Sequence, residues 1–287
     1  MDVGKRVSVS SRQRLGFLAT VLVLLTASAW GHSAETDQLK VQLISDTDAV
    51  QPGSALLVGL RFEMQKQWHI YWRNPGDSGE PPQVRWKLPA GFRAGEVQWP
   101  APERLGSGSV IDYGYRGSVL LPVVIQTPRT ALAAASITLS AEVSWLVCKD
   151  ICVPGQADLT LSLPVRMAPA PVSASHPLFQ EAGSRLPKPM PPAWRIEATS
   201  EPAFFVLTVQ GAGVGNGAFF PFEADQIDHA APQTTTVLPD GVRLVLKKSD
   251  QLAKTPARLD GVLELGSGQV YALSVPVRSR PGRSAPP

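Results

Sequence analysis

The sequence predicts an all-β protein: an immunoglobulin-like antiparallel β-sandwich carries the two cysteines, and a second, smaller β-sandwich lobe follows. Proline supplies 27 of the 287 residues, and each interior proline costs a helix about 3 kcal/mol, which disfavours a helical bundle. Apolar residues make up 44% of the chain, too many for a disordered protein. Short runs of apolar residues alternating with polar ones recur between turn residues, as is typical of strands.

Residues 1–29 have the features of a secretory signal peptide. A basic start from Lys5 to Arg14 precedes an apolar run at 15–25, which is too short to span a membrane comfortably, and small residues follow at 27–29. An uncleaved N-terminal anchor is the alternative. We therefore expect export through the Sec pathway to a compartment where disulfides persist, which in a Gram-negative bacterium is the periplasm.

The net charge of +3 comes from that leader. Removing its four basic residues and one acidic residue from totals of 27 and 24 leaves 23 of each. A protein that binds duplex nucleic acid needs a basic surface, so we expect no nucleic-acid partner.

The first lobe is expected at residues 35–166. Its clearest strand is 136–147, where apolar residues alternate with polar ones from Ile137 to Trp145, so that one face is buried. Seven strands in about 130 residues suggest an immunoglobulin-like sandwich. The strands are predicted at 39–44, 55–62, 68–72, 82–88, 119–126, 136–147 and 157–165. Trp68, Trp72, Trp86, Trp99 and His69 are predicted to be structural.

A proline-rich linker is expected at 167–193, which holds seven prolines in 27 positions. One short helix is predicted within it at 177–186, with Ser175 as the N-cap. A second β lobe is expected at 194–278, followed by a disordered tail at 279–287. The strands of the second lobe are predicted at 194–199, 203–209, 241–248, 261–265 and 270–277.

The chemistry is expected at Cys148 and Cys152. Cys148 continues the polar positions of its strand, so its side chain points away from the face that buries Trp145 and it is not an obvious core cysteine. Residues four apart on a straight strand are about 13 Å apart, too far for a disulfide. If residues 149–151 instead form a three-residue hairpin loop, the two cysteines lie opposite each other at about 5 Å between Cα atoms, which fits a disulfide.

Such a disulfide would be a weak brace, because closing a five-residue loop stabilises a protein by only about 2 kcal/mol. A structural immunoglobulin disulfide also joins strands that are distant in sequence. The spacing therefore favours a reversible dithiol/disulfide pair, while a structural disulfide and a metal-binding pair remain alternatives. Lys149 would favour a thiolate and Asp150 would oppose it, so the sequence leaves open which sulfur attacks.

Three separated motifs resemble one family. Residues 144–154, SWLVCKDICVP, resemble the cysteine segment of the N-terminal periplasmic domain of DsbD-type thiol:disulfide interchange proteins, and most of all the branch associated with suppression of copper sensitivity. Residues 71–79, and residues 111–115 followed by 121–123, look like the same family. The resemblance covers roughly residues 38–165.

The resemblance implies a disulfide reductase that needs no bound cofactor or metal. It would take electrons from a membrane-embedded electron-transfer protein or a thioredoxin-like protein and pass them to a periplasmic client disulfide protein. Cys148 and Cys152 would be the catalytic pair, shielded by a cap loop at residues 112–115 through Tyr113 or Tyr115. The best-known members carry Phe where this chain has Asp112, and they space their cysteines more widely. The residues expected to border the site are Asp112, Tyr113, Tyr115, Trp145, Lys149, Asp150 and Pro154.

Full members of that family continue into a multi-span membrane domain and a thioredoxin-like domain, which these 287 residues do not contain. We expect a stand-alone chain served by separate proteins, the alternative being a degenerate remnant. Two other functions stay open. A periplasmic copper-binding or copper-tolerance protein would add His69, His176 or His229 to the cysteines. A non-enzymatic β-sandwich binding module would keep the disulfide as a structural bond.

Overall fold

The computed structural model describes Met1 and residues 33–129, 135–211, 216–266 and 268–279. The predicted signal peptide beyond Met1, and the predicted tail beyond Ser279, lie outside the described residues. Strands dominate the described part and one short helix accompanies them, so the all-β prediction is confirmed. No helix in the described ranges is long and apolar enough to cross a membrane.

The first lobe is a sandwich of two antiparallel sheets. One sheet has the order β1-β2-β3-β9-β6, and the other has the order β11-β10-β4-β8-β7, with β5 also paired to β10. The strands are β1 (Ser33–Glu35), β2 (Leu39–Ser45), β3 (Ala55–Met64), β4 (His69–Gly76), β5 (Gln83–Lys87), β6 (Arg93–Val97), β7 (Glu103–Ser107), β8 (Val110–Arg116), β9 (Ser118–Gln126), β10 (Ser136–Cys148) and β11 (Cys152–Pro164).

Each of the seven predicted strands corresponds to an observed one, but two of them extend four or five residues beyond a predicted end. The strand predicted at 68–72 continues to Gly76, and the one predicted at 157–165 already begins at Cys152. Sequence reasoning missed β1, β6, β7 and β8, which are short or contain glycine and so show little alternation.

Strand β10 directs its alternating apolar and polar residues to opposite faces of the sheet. Its odd-numbered residues from Ile137 to Val147 are buried between the sheets, and Trp145 meets Phe62 of the opposite sheet edge to face. Trp72 is fully buried, and the three other tryptophans of this lobe pack against the same core. The tryptophans are therefore structural, as predicted.

The proline-rich segment lies against the first lobe. Helix α1 (His176–Arg185) packs Phe179 and Ala182 on Leu120 of β9. Ser175 is the N-cap residue, as predicted, but its side chain makes no capping hydrogen bond. The backbone of Ser175 is already helical, and the Ser173 hydroxyl accepts a hydrogen bond from the Ser175 N–H.

The second lobe has eight strands around its own core of mainly aliphatic side chains. They are β12 (Lys188–Pro189), β13 (Arg195–Ser200), β14 (Phe204–Gln210), β15 (Gly217–Pro221), β16 (Thr234–Leu238), β17 (Gly241–Lys247), β18 (Arg258–Leu265) and β19 (Gln269–Ser279). Strand β19 pairs antiparallel with β18 and then parallel with β13. Strand β19 thereby joins β15 and β18 on one side to β13, β14, β17 and β16 on the other. Sequence reasoning missed β12, β15 and β16.

The two lobes share an aromatic contact. Phe220 of β15 packs edge to face on Tyr113 and Trp72 of the first lobe, with ring centroids 5.2 and 6.4 Å apart. Phe220, Val262 and Val270 thereby extend the core of the first lobe into the second. Strands β4 and β8, which carry Trp72 and Tyr113, also lead to the cysteine pair.

Candidate redox site

The cysteine pair closes the β10–β11 hairpin. The two strands stay in register from Ser136 opposite Pro164 to Cys148 opposite Cys152. The sulfurs are bonded at 2.08 Å and the Cα atoms are 4.1 Å apart. The Lys149 N–H donates to the Ile151 carbonyl across the tip. This is the three-residue hairpin loop that the spacing allowed, and not a straight strand.

The two sulfurs differ in their surroundings. Cys148 is only 2% exposed and lies opposite His69 of β4. The alternation of β10 puts Cys148 on the face opposite that of Trp145, yet Cys148 is buried there, with His69 as its neighbour across the sheet. Cys152 is exposed, as is Ile151 at the tip of the hairpin. An incoming thiolate would therefore reach the sulfur of Cys152 first.

Tyr71 is the side chain that touches the pair, and sequence reasoning did not name it as a site residue. Its hydroxyl lies 3.7 Å from Cys152 Sγ, and because a disulfide sulfur has no proton, the phenol is the donor. Burial raises the pKa of Tyr71, which keeps that proton in place. The available signal was its position at the start of the 71–79 motif.

A loop at residues 77–82, between β4 and β5, lies across Tyr71; we call it the covering loop. A Cβ atom at Gly79 would lie 2.1 Å from the Tyr71 ring, so only glycine permits this approach. The φ angle of Gly79 is +80°, which also favours glycine. The loop therefore fixes the ring against the pair.

Asp112 ties the covering loop to the site. Its Oδ1 accepts hydrogen bonds from the backbone N–H and the hydroxyl of Ser78, at 3.0 and 2.9 Å. Its Oδ2 is 3.9 Å from His69 Nε2. Burial raises the pKa of Asp112 and lowers the pKa of His69. A phenol therefore contacts Cys152, and an imidazole with a carboxyl group beside it neighbours Cys148.

The cap loop expected at residues 112–115 is wrong. These residues belong to strand β8, and both tyrosines are almost fully buried. Tyr113 packs on Trp72 and His229, and the Tyr115 hydroxyl donates to the Pro100 carbonyl at 2.7 Å. The glycine and tyrosines fit a strand because Gly114 lies directly against the backbone of β4.

The other expected site residues divide into two groups. Lys149 and Asp150 lie at the hairpin tip, 3.9 Å apart and largely in solvent. Pro154 is exposed on the same hairpin, opposite Leu146. Trp145 instead belongs to the core, with its ring under Gly155, so it supports the hairpin from below.

The structure separates the histidines that a copper site would recruit. His69, His176 and His229 lie beside three different aspartates, Asp112, Asp46 and Asp77. Within the described ranges, no group of three or more His, Cys, Asp and Glu side chains could hold a metal ion.

The fold and the site together define an immunoglobulin-like β-sandwich domain with a cysteine pair at a hairpin tip. Residues 38–164 match the family model described as thiol:disulfide interchange protein DsbD, N-terminal. This part of the chain is therefore similar to the DsbD N-terminal family, as the resemblance predicted. No curated protein matches the sequence significantly.

Two solved structures are similar. The N-terminal periplasmic domain of ScsB from Proteus mirabilis matches with a TM-score of 0.67 and 15% identity, covering 87% of this chain and 99% of that one. This match extends beyond residues 38–164, so the likeness in fold includes the second lobe. The yeast GGA1 GAE domain matches with a TM-score of 0.29 and 12% identity, covering 47% of this chain and 99% of that one, and carries no argument.

Proposed function

We propose that this chain is a periplasmic thiol–disulfide exchange protein that reduces client disulfides through Cys148 and Cys152. One observation carries the proposal: an exposed cysteine, Cys152, is bonded to a buried one, Cys148, at the tip of a hairpin. Twelve further residue pairs hold that hairpin in register. The bond therefore adds little to the fold and leaves one of its cysteines at the surface. The match of residues 38–164 to the DsbD N-terminal family model supports the compartment and the class of reaction.

The exchange proceeds in two balanced steps. In the reduced protein, the Cys152 thiolate attacks one sulfur of the client disulfide, the client S–S bond breaks, and the departing client thiolate takes up a proton. Cys148, after losing its proton, then attacks Cys152 Sγ and releases the second client thiol. The client has gained two electrons and two protons, and the Cys148–Cys152 disulfide has formed.

A partner dithiol restores the reduced pair. One partner thiolate attacks the exposed Cys152 Sγ, Cys148 leaves as a thiolate, and the second partner thiol resolves the mixed disulfide. The partner is a membrane-embedded electron-transfer protein or a thioredoxin-like protein. The direction of electron flow follows the family.

The surrounding side chains support the chemistry at Cys152. The Tyr71 hydroxyl donates toward its sulfur, and a hydrogen bond to the charged form of a group favours that form. The ammonium group of Lys149 is 3.9 Å from the Asp150 carboxylate. The negative charge of Asp150 therefore offsets the positive charge of Lys149 at the tip. Tyr71 is therefore the group that would stabilise a Cys152 thiolate.

Two single-cysteine variants test the proposal. Cys148→Ser leaves the exposed thiol and Cys152→Ser leaves the buried one. Both variants would be reduced and mixed with oxidised glutathione, and the formation of the mixed disulfide would be followed by mass spectrometry. We expect Cys148→Ser to form the mixed disulfide at least about tenfold faster, because reactivity follows thiolate character and access. Equal rates, or a faster Cys152→Ser, would contradict this assignment.

The reduction potential of the wild-type pair decides between exchange and a structural bond. The mature protein would be equilibrated in glutathione buffers of graded potential and alkylated, and mass spectrometry would give the fraction of reduced protein. We expect a potential above roughly −250 mV, because catalytic disulfides lie in that range. A value below about −300 mV would show an inert bond and would favour a binding module instead.

A further inference from the structure

We propose that the second lobe holds the covering loop against Tyr71, which contacts the cysteine pair, and that His229 is a positioning residue that slows exchange through Asp77. This inference rests on the proposed function and assigns a role to the second lobe. Its first support is that the covering loop contacts the site: Gly79 lies on the Tyr71 ring, and the Tyr71 hydroxyl touches Cys152 Sγ.

Asp77, at the start of the covering loop, joins the two lobes. Its Oδ1 accepts a hydrogen bond from His229 Nδ1 at 3.1 Å. Its Oδ2 accepts another from the Ile111 N–H of β8 at 2.7 Å, and its own N–H donates to the Ile111 carbonyl. One carboxylate therefore connects the loop to the second lobe on one side and to the sheet on the other.

His229 is itself firmly held. Its side chain is only 3% exposed, and its ring packs on Tyr113 with centroids 4.9 Å apart. The guanidinium group of Arg104 donates to its carbonyl. A side chain fixed by its own backbone contacts and a ring neighbour can hold the loop in one position.

Asn74 fixes the same loop from the strand that precedes it. Its side-chain amide donates to the carbonyls of Pro221 and Glu223 in the second lobe, at 2.8 and 3.2 Å. Its Oδ1 accepts from the Gly76 N–H at 3.1 Å. Gly76 has a φ of +90° and directly precedes the covering loop. Both contacts come from the second lobe, and they end at Asp77 and Asn74, which precede Gly79 by two and five residues.

The consequence is a barrier to exchange that depends on the second lobe. Moving Tyr71 off Cys152 requires the covering loop to lift, and lifting it breaks the hydrogen bond between Asp77 and His229. A hydrogen bond of this kind changes the equilibrium between the closed and the lifted loop by about 2- to 10-fold. Its loss should therefore make the pair exchange faster by that factor.

The test compares three variants of the full mature chain. His229→Ala removes the hydrogen-bond donor. His229→Asn keeps an amide donor near the position of Nδ1. Lys247→Ala breaks the ion pair with Asp228 in the same lobe and serves as the matched control. The measurement is the second-order rate constant for reduction of the disulfide by dithiothreitol at one fixed pH.

We expect the disulfide of His229→Ala to be reduced about 2- to 10-fold faster than that of wild type. His229→Asn and Lys247→Ala should be reduced at the wild-type rate. Unchanged or slower reduction of a folded His229→Ala protein overturns the proposal, as does acceleration by Lys247→Ala. Should His229→Ala fail to fold, Asp77→Ala removes the other partner from the surface loop and must show the same acceleration. A wild-type pair that resists reduction altogether would instead overturn the proposed function.

Discussion

Two long antiparallel hairpins of this protein close their tips by different means. The β10–β11 hairpin turns through residues 149–151 with no positive φ angle, and the cysteine pair forms its last rung. In the β18–β19 hairpin, Gly266 follows β18 and Gly268 precedes β19, with φ angles of +51° and +79°. The last rung of this hairpin is Leu265 opposite Gln269. The fold thus closes such a hairpin without a covalent bond.

The difference supports the proposal that the disulfide serves exchange chemistry more than the stability of the fold. Beside the cysteine tip lie Tyr71, His69 and Asp112, each with a pKa shifted mainly by burial. Perturbed titratable groups cluster at functional sites. At the glycine tip, a Cβ added to Gly268 would meet no atom within 4 Å. The cysteine tip is thus built into a surrounding site, whereas a side chain added at Gly268 would enter free space.

The largest expected effect separates the two tips by activity. Replacing both cysteines with serine should abolish disulfide exchange, because no sulfur remains to form a mixed disulfide. Gly268→Ala at the other tip should leave exchange unchanged. The measurement is the rate at which each reduced protein converts oxidised glutathione to the thiol. Loss of exchange in Gly268→Ala would break the comparison, because the glycine tip would then belong to the site.

The second prediction concerns stability. The double serine variant should lose about 2 kcal/mol of unfolding free energy, the loop-entropy estimate for a five-residue loop, and should keep its fold. Urea unfolding followed by circular dichroism measures this. A loss of more than about 5 kcal/mol, at the top of the range for disulfides, would show that the bond is structural after all.

The third prediction concerns the glycine tip. Gly268→Ala should cost about 1 kcal/mol of unfolding free energy, because a side chain disfavours a positive φ even where space is free. Gly268→Asn should cost less, because asparagine tolerates the left-handed conformation. Asp150→Ala at the cysteine tip, where no φ is positive, should lie within about 0.5 kcal/mol of wild type.

Local patterns made the hairpin and its cysteines predictable. Alternation located β10 to within one residue, and the three-residue spacing fitted a cross-strand disulfide. The residues around the pair were harder to predict, because they come from other strands. Tyr71 has the pattern of a core aromatic in β4, and only the packing of Gly79 on its ring places it at the site. The family resemblance placed a cap loop at residues 112–115, whereas these residues form a largely buried strand.

The contact between the lobes could not be predicted at all. Asp77 and His229 are 152 residues apart, and neither stands in a pattern that points to the other. Such pairs depend on how two finished lobes pack, which alternation and turn residues do not encode. The single histidine of a polar segment carried no signal until the structure placed it on the covering loop.

The smallest expected effect is a pH dependence confined to the cysteine tip. Burial lowers the pKa of His69 in the folded protein below its ordinary value of 6.5. At pH values between the lowered pKa of the folded protein and 6.5, His69 binds a proton in the unfolded chain but not in the folded one. The free energy of unfolding therefore falls as the pH falls. The contribution of His69 is thus complete above pH 6.5 and is lost as the pH falls through the lowered value.

His69→Gln removes this titration while keeping an amide near the position of Nε2. The difference in unfolding free energy between wild type and His69→Gln should therefore shrink from pH 8 to pH 5. Groups common to both proteins cancel in that difference, so the slope reports His69 alone. Residues 266–268 of the glycine tip contain no titratable side chain, and Gly268→Ala should give a difference that does not vary with pH. A constant difference for His69→Gln would mean that burial at the cysteine tip leaves its imidazole unperturbed.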